Sequence, residues 1–326
     1  MSQKGLETQS SEHQKTNMIE PEPAQTHTPS EWHESPLVSV VIPCFNHERF
    51  VHASLESVAN QDYQRIELIL IDDGSTDQSF QIAKAWQSNR AKDLINCTVI
   101  RQANSGICKT LNRGIRRSHG QIVCPLASDD LLHPRAISNL VEFIKQKRIS
   151  DGLVITNVSL IDSEGMTLAR DALQYTQRCS RLLVQSNAFL TIDIILRWGT
   201  PYQHQAFTRL FYEKAGGYRE DIHFEDVYFA LMAASRSRLY LIEQPIKQYR
   251  IRANLSTTPG LTIDQISRIP SRVAARPTFP IRFRIVVDLI NYIDGSNSKI
   301  GSLLARAMNR VIYGTSKTIA RLQLLI

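Results

Sequence analysis

The chain has 326 residues, is 42% hydrophobic and 21% charged, and carries a formal net charge of +7. That apolar content can bury a sizeable core, which excludes a wholly disordered chain, and the length admits one α/β core with tails or two domains. The basic balance fits an anionic partner, whether nucleotide diphosphate, acidic lipid or nucleic acid, and does not choose among them. It is also uneven: residues 1–36 hold six glutamates against Lys4 and Lys15, whereas residues 295–326 hold five basic residues and no acid.

Five cysteines (Cys44, Cys97, Cys108, Cys124 and Cys179) are odd in number and lack metal-type spacing, which argues against a disulfide framework and a structural zinc site. The polar N-terminus has no apolar signal-peptide core, and no run approaches the ~20 apolar residues that span a bilayer. The expectation is a cytoplasmic protein, with peripheral contact on the inner face of a membrane as an option.

Residues 1–36 are polar and proline-bearing, with almost no aliphatic side chains, and are expected to be a disordered leader. Order is predicted to begin at Leu37, where LVSVVIP reads as a buried strand. A helix over His47 to Asn60 follows, then a strand at Ile66 to Ile71, a helix over Gln78 to Arg90 and a strand at Cys97 to Ile100. The alternation continues with a helix over Gly106 to Ser118, a strand over Gln121 to Leu126, a helix after Pro134 and a strand over Gly152 to Val158. Strand and helix in this rhythm predict an α/β fold with a mostly parallel, doubly wound sheet. From Asp162 to Arg252 the pattern is less clean: Thr200 to Phe207 reads as loop and Asp226 to Ser235 as helix. This half is expected to complete the sheet and carry the acceptor side, and Pro259 to Pro280 reads as a linker.

In an open parallel sheet ligands sit beyond the carboxyl ends of the strands, so the residues that follow each strand are the candidates. They are Pro43-Cys44-Phe45-Asn46, then Asp72-Asp73-Gly74-Ser75, then Asn104-Ser105-Gly106 opening the helix of Lys109 and Asn112, then Ala127-Ser128-Asp129-Asp130. Singly, each has an ordinary reading as a turn or helix cap, with Phe45 in a core and Lys109 on a solvated face. Together they follow successive strands of one sheet, which points to one ligand site. The open helix start and Lys109 suit a diphosphate, and adjacent carboxylates suit a hard divalent cation.

The segments VSVVIPCFNHERFVHASLESV, IELILIDDGSTDQS, QANSGICKTLNRGI and GQIVCPLASDDLLHP resemble the nucleotide-sugar half of family-2 glycosyltransferases with the GT-A fold, over roughly Leu37 to Arg252. The resemblance implies a catalytic domain at 37–258, with a nucleotide-sugar half at 37–160 and an acceptor half at 161–258. It further implies a nucleotide-diphosphate sugar donor, a UDP-sugar or one with another base, Mg2+ or Mn2+, and, as is usual in the family, inversion at the anomeric carbon. Carried over by position, Pro43, Phe45 and Asn46 fall near base and ribose, Asp72 on the base with Asp73 beside it, Asn104, Gly106 and Asn112 on the next motif, and Asp129 with Asp130 on the donor's metal. Ala127 stands where the pattern usually has another Asp. Asp226 is then the catalytic base with Glu225 beside it, and Arg252 stands near the diphosphate where a His is common. No Gln-x-x-Arg-Trp occurs, so single transfers to a glycan or lipid-linked acceptor are expected, in glycan or polysaccharide biosynthesis, and no nucleic-acid partner.

Within 299–325, Lys299, Arg306, Arg310, Lys317 and Arg321 recur on one helical face opposite Ile300, Leu304, Met308 and Val311. The segment is expected to be an amphipathic helix that either touches an anionic membrane or packs on protein. Two other functions stay open at this level. One is a sugar-nucleotide-binding module without catalysis, raised by Ala127. The other is a nucleotidyltransferase, which would want a Gly-rich basic first loop that is absent here.

Overall fold

In the computed structural model, which describes residues 35–175, 190, 204–221 and 225–251, one nine-stranded sheet runs through the chain. Strands β1 (Val38–Cys44) and β2 (Ile66–Asp72) are aliphatic on both faces and almost wholly buried, as central parallel strands must be. With β3 (Asn96–Arg101) and β4 (Ile122–Pro125) they form the parallel order β3-β2-β1-β4. Between them lie α1 (Val51–Ala59), α2 (Ser79–Arg90) and α3 (Ile107–Arg116). The first helix starts later than the sequence predicts, because the N–H groups of Phe50 and Val51 both donate to the His47 carbonyl at 2.9 Å and form a turn there.

After the two-residue β5 (Leu131–Leu132) and α4 (Ala136–Gln146) come β6 (Leu153–Ile161), the short β7 (Thr167–Ala169) and α5 (Ala172–Tyr175). Then follow β8 (Gln205–Thr208), α6 (Arg209–Ala215), α7 (Glu225–Ser235) and β9 (Leu239–Arg250). The expected loop at Thr200 to Phe207 is corrected in part: Gln205–Phe207 lie in β8, which inserts antiparallel between β4 and β6. Its four residues are all buried, and QAFT shows no alternation to reveal it. β9 runs parallel to β6 and antiparallel to β5, so the order continues β4-β8-β6-β9-β5.

Helices cover both faces, as expected for double winding. On one, α1, α2 and α4 pack through Leu55, Trp86 and Leu140 against Val40, Leu68 and Cys124. On the other, α3, α6 and α7 pack through Ile115, Phe211 and Phe229 against Val41, Val123 and Phe207. No described helix is long and apolar enough to cross a membrane. The leader up to residue 34, the linker at 259–280 and the amphipathic segment at 299–325 lie outside the described residues.

Gly114 lets α3 lie close on the sheet, since a Cβ there would come 2.5 Å from Val41 Cγ1 and 3.4 Å from Ile71 Cγ1. Alanine gains about 1 kcal/mol in helix propensity over glycine, whereas overpacking a core costs about 1–3 kcal/mol. Packing wins, so Gly114→Ala is expected to destabilise the fold by about 1–2 kcal/mol in urea unfolding. A stabilised variant would show that α3 is less tightly seated than described.

Candidate active site

The sheet register fixes where the strand-end clusters meet. Cys44 pairs with Asp72 and Asp72 with Arg101, so the ends of β1, β2 and β3 are level. Leu126 N–H donates to the Val41 carbonyl at 3.0 Å, which brings the loop after β4 to the same end. There a cavity of about 250 Å³ is lined by Pro43 near the end of β1, by Ala127 and Asp130 of the loop after β4, and by Glu225 and Asp226.

Asn46, with φ 54°, anchors the loop after β2: its Oδ1 accepts from Thr76 N–H at 2.8 Å, and its own N–H donates to Ser75 Oγ at 3.0 Å. Phe45 is 46% exposed and is not among the residues that line the cavity. Asp72 is fully buried; one oxygen takes Ser75 N–H and the Arg101 guanidinium at 3.1 Å, and its Oδ1 has no partner.

Asp73 points the other way. Its carboxylate accepts from Gln102 Nε2 (2.7 Å), Ser105 N–H (2.8 Å) and Gly106 N–H (2.9 Å). Burial alone would raise its pKa, but these bonds outweigh burial and hold the carboxyl below its usual range. Asp73 thus ties down the loop ahead of α3 through the N–H groups of Ser105 and Gly106, both of which precede the helix's first residue, Ile107. Asn104 and Gly106 are exposed in this loop, and Lys109 is exposed outside the cavity lining. Gly74, at φ 78°, permits the approach, since a Cβ would lie 2.8 Å from Asn104 N.

Asn112 is also turned inward. Its amide donates to the Tyr218 carbonyl (2.8 Å) and Glu220 (3.2 Å), and its Oδ1 accepts from Tyr212 OH (2.7 Å) and Tyr218 N–H (2.9 Å). All four positions of the amide are taken, and they tie α3 to the loop before α7.

Asp129 and Asp130 are both buried after β4. Asp130 Oδ1 accepts from Arg250 N–H at 2.9 Å, and its Oδ2 lies 3.9 Å from His204 Nδ1. Burial and the adjacent Asp129 push the Asp130 carboxyl up to about 8. Asp129 Oδ1 is 3.8 Å from His47 Nδ1. Glu225 and Asp226 open α7 half-buried, with the Asp226 carbonyl held by Gln205 Nε2 at 2.7 Å. Burial raises both carboxyls, Glu225 to about 8 with the Asp226 charge adding, and Asp226 to about 6. Arg252 lies outside the described residues.

With this geometry in place, comparison with known proteins decides the family. The model of glycosyl transferase family 2 matches residues 39–208, just over half of the chain. The chain belongs to glycosyl transferase family 2. An uncharacterized glycosyltransferase of Rickettsia prowazekii is 26% identical to it over 230 residues, covering 70% of this chain and 68% of that one. The putative glycosyltransferase EpsH of Bacillus subtilis is 28% identical over 224 residues, 67% of this chain and 62% of EpsH, so the chain spans less than two thirds of that relative. Among solved structures, S. aureus TarS 1–349 in complex with UDP-GlcNAc superposes with a TM-score of 0.55 at 18% identity, over 78% of this chain and 70% of that one. The mannosyltransferase PcManGT from Pyrobaculum calidifontis, in complex with GDP-Man and Mn2+, gives 0.53 at 19% identity over 91% and 85%. At such identity the likeness is one of fold.

The glycosyltransferase family model ends at Thr208, before Glu225 and Asp226. His204 and Lys247 of this glycosyltransferase were not singled out by sequence. His204 and Lys247 line the cavity, and Arg250, 4% exposed, donates to the carbonyls of Asp129, Asp162 and Ser163 at 2.8–3.0 Å and lies over the Phe50 ring. Burial and the neighbouring Lys247 lower the His204 pKa to about 3, so its imidazole is neutral at physiological pH.

Asn112→Ala is expected to cost roughly 2–4 kcal/mol of stability, since it strands Tyr212 OH and both main-chain groups of Tyr218. Thermal and urea unfolding would show it. An Asn112→Ala chain of wild-type stability with a lost nucleotide affinity would instead make Asn112 a ligand contact.

Proposed function

We propose that this glycosyltransferase moves a single sugar from a UDP-sugar donor to a hydroxyl acceptor with inversion, assisted by Mg2+ or Mn2+. The observation that carries this reading is one cavity faced both by Asp130 of the loop after β4 and by Glu225 and Asp226 at the start of α7. TarS with UDP-GlcNAc and PcManGT with GDP-Man and Mn2+, which share the fold, support a nucleotide-sugar donor.

Asp129 and Asp130 would hold the cation. Among the described residues no group of three or more His, Cys, Asp or Glu gathers around one point. Two neighbouring carboxylates suit a hard divalent ion that takes its remaining ligands from phosphate oxygens and water. Bound there, such an ion supplies charge stabilisation for the leaving diphosphate. Arg250 acts behind these two residues, fixing the loop through the Asp129 carbonyl and the Asp130 carboxylate.

Asp226 serves as general base: it takes the proton of the acceptor hydroxyl as that oxygen bonds to the anomeric carbon and the bond to the diphosphate oxygen breaks. A lone helix-start carboxylate would only complement the dipole, for at most about 1 kcal/mol. Its place on the cavity wall beside Glu225 favours chemistry. Phe45 and Asp72, at the level ends of β1 and β2, are assigned to the base, Asp72 through its unpartnered Oδ1. Pro43 lines the cavity, while Asn46 and Asp73 act by holding loops. The acceptor is a glycan or a lipid-linked glycan, and the catalytic domain extends over 37–258.

Asp130→Asn and Asp129→Asn are each expected to weaken metal-dependent donor binding about tenfold or more, as measured by calorimetry with and without Mn2+. Unchanged affinity and metal dependence in both variants would remove these residues from the metal site.

Asp226→Asn is expected to spare donor binding and lower kcat by roughly a hundredfold or more. The base must be ionised, and burial has raised its pKa to about 6, so wild-type kcat should fall as pH drops through about 6 and level off above it. A variant with near wild-type turnover, or a wild-type rate flat down to pH 5, would place the base elsewhere, with Glu225 next to be tested.

A further inference from the structure

His204 immediately precedes β8 and belongs to the cavity wall together with Ala127, Asp130, Lys247 and Tyr249. It is 9% exposed, and its carbonyl accepts from Thr156 N–H of β6 at 2.7 Å, which fixes its main chain. The side chain has no such tie. Among the described residues neither ring nitrogen has a hydrogen-bond partner: Nε2 is closed off and alone, and Nδ1 lies 3.9 Å from Asp130 Oδ2, beyond hydrogen-bond reach. The ring packs edge-on to Tyr249 with centroids 4.8 Å apart. Leucine or phenylalanine would fill the same space without the cost of burying unpaired nitrogens, so the fold itself does not call for histidine here.

The surroundings select the kind of group that meets Nδ1. The imidazole is neutral and offers one N–H and one lone pair rather than a charge. The Lys247 ammonium acts on both His204 and Asp130 and disfavours a cation on the His204 side of the Asp130 carboxylate. That carboxylate in turn disfavours an anion there. A hydroxyl, neutral and at once donor and acceptor, meets both conditions, and the gap lets one hydroxyl oxygen lie about 2.8 Å from Nδ1 and Oδ2 together. Pro43, Leu111 and Ala127 give the same cavity apolar surface. A sugar ring, with C–H faces and hydroxyl edges, matches such a lining.

We propose that His204 hydrogen-bonds a hydroxyl of the transferred sugar through Nδ1, beside Asp130, and so takes part in choosing the donor. The inference rests on the cavity being the donor site, and it adds a residue that reads the sugar rather than the nucleotide. A site built to bond a hydroxyl rejects an analogue that lacks it, because the buried polar group is then left without a partner. Gln205, the next residue, holds the Asp226 carbonyl, so the segment that presents His204 also fixes the start of α7.

Calorimetry on the full chain with Mn2+ tests this by comparing wild type with three variants. His204→Phe and His204→Leu remove the nitrogens, His204→Asn places an amide near the Nδ1 position, and thermal unfolding checks that each is folded. UDP-glucose, UDP-galactose, UDP-N-acetylglucosamine and GDP-mannose are the probes, each set against its own nucleoside diphosphate. For the sugar nucleotide that wild type binds most tightly, the apolar variants are expected to lose about threefold to tenfold in affinity with UDP or GDP bound as before, and His204→Asn to recover part of the loss. Deoxy forms of that sugar give a second readout: one of them should weaken wild type by a similar factor and leave His204→Phe unchanged. Equal weakening of the sugar nucleotide and its nucleoside diphosphate, or weakening of neither, overturns the inference, as does failure of both apolar variants to fold. A wild-type chain that binds none of these nucleotides would instead defeat the donor-site reading itself, and the assignment of His204 with it.

Discussion

The pairing of β8 against β4 determines where this molecule can do chemistry. β8 has only four residues, but it runs antiparallel, so its amino end lies where the carboxyl ends of β1 and β4 lie. That placement brings His204 and Gln205 to the loops after the parallel strands. Through β6 it also brings the later part of β9, with Lys247 and Arg250, to the same place. Gln205 then holds the first turn of α7 by its Asp226 carbonyl, so the loop after β4 and the helix start of the second half share one cavity. A fully parallel sheet would separate them.

The electrostatics of that cavity follow from crowding. Asp130 is buried and Glu225 and Asp226 are half-buried, and each is pushed above its ordinary carboxyl pKa chiefly by burial. The buried ammonium of Lys247 works against this at Asp130, whose pKa it lowers. Asp73 shows the opposite case: four main-chain and side-chain donors hold its pKa below the usual range, and they stiffen the loop before α3.

Much of this was legible in the sequence where physics leaves a periodic trace. The aliphatic runs of β1 and β2 announce central strands, and the polar residues just after them announce a ligand end. The family followed from the same segments. What failed to show were residues whose roles depend on strand direction or on long-range partners. QAFT lacks alternation because both of its faces are buried, so β8 read as loop, and a search confined to carboxyl ends passes over the amino end where His204 stands. Lys247 sits in a strand that otherwise looks half-exposed, and only its partners on β4 and β8 reveal it as buried. Asn112 and Asp73 matched donor motifs by position, but their hydrogen bonds, across 106 and 32–33 residues of chain, are internal.

The central claim is that the loops after β1, β2 and β4, together with the start of α7, enclose a single nucleotide-sugar site. A crystal structure of the chain with Mn2+ and a non-transferable UDP-sugar analogue tests it most directly. The account predicts the uracil beside Asp72 and Phe45, the diphosphate at Asp129 and Asp130, and the anomeric carbon facing Asp226. An analogue bound with its diphosphate at the amino ends of β1 and β2, or with its sugar turned away from α7, would contradict it.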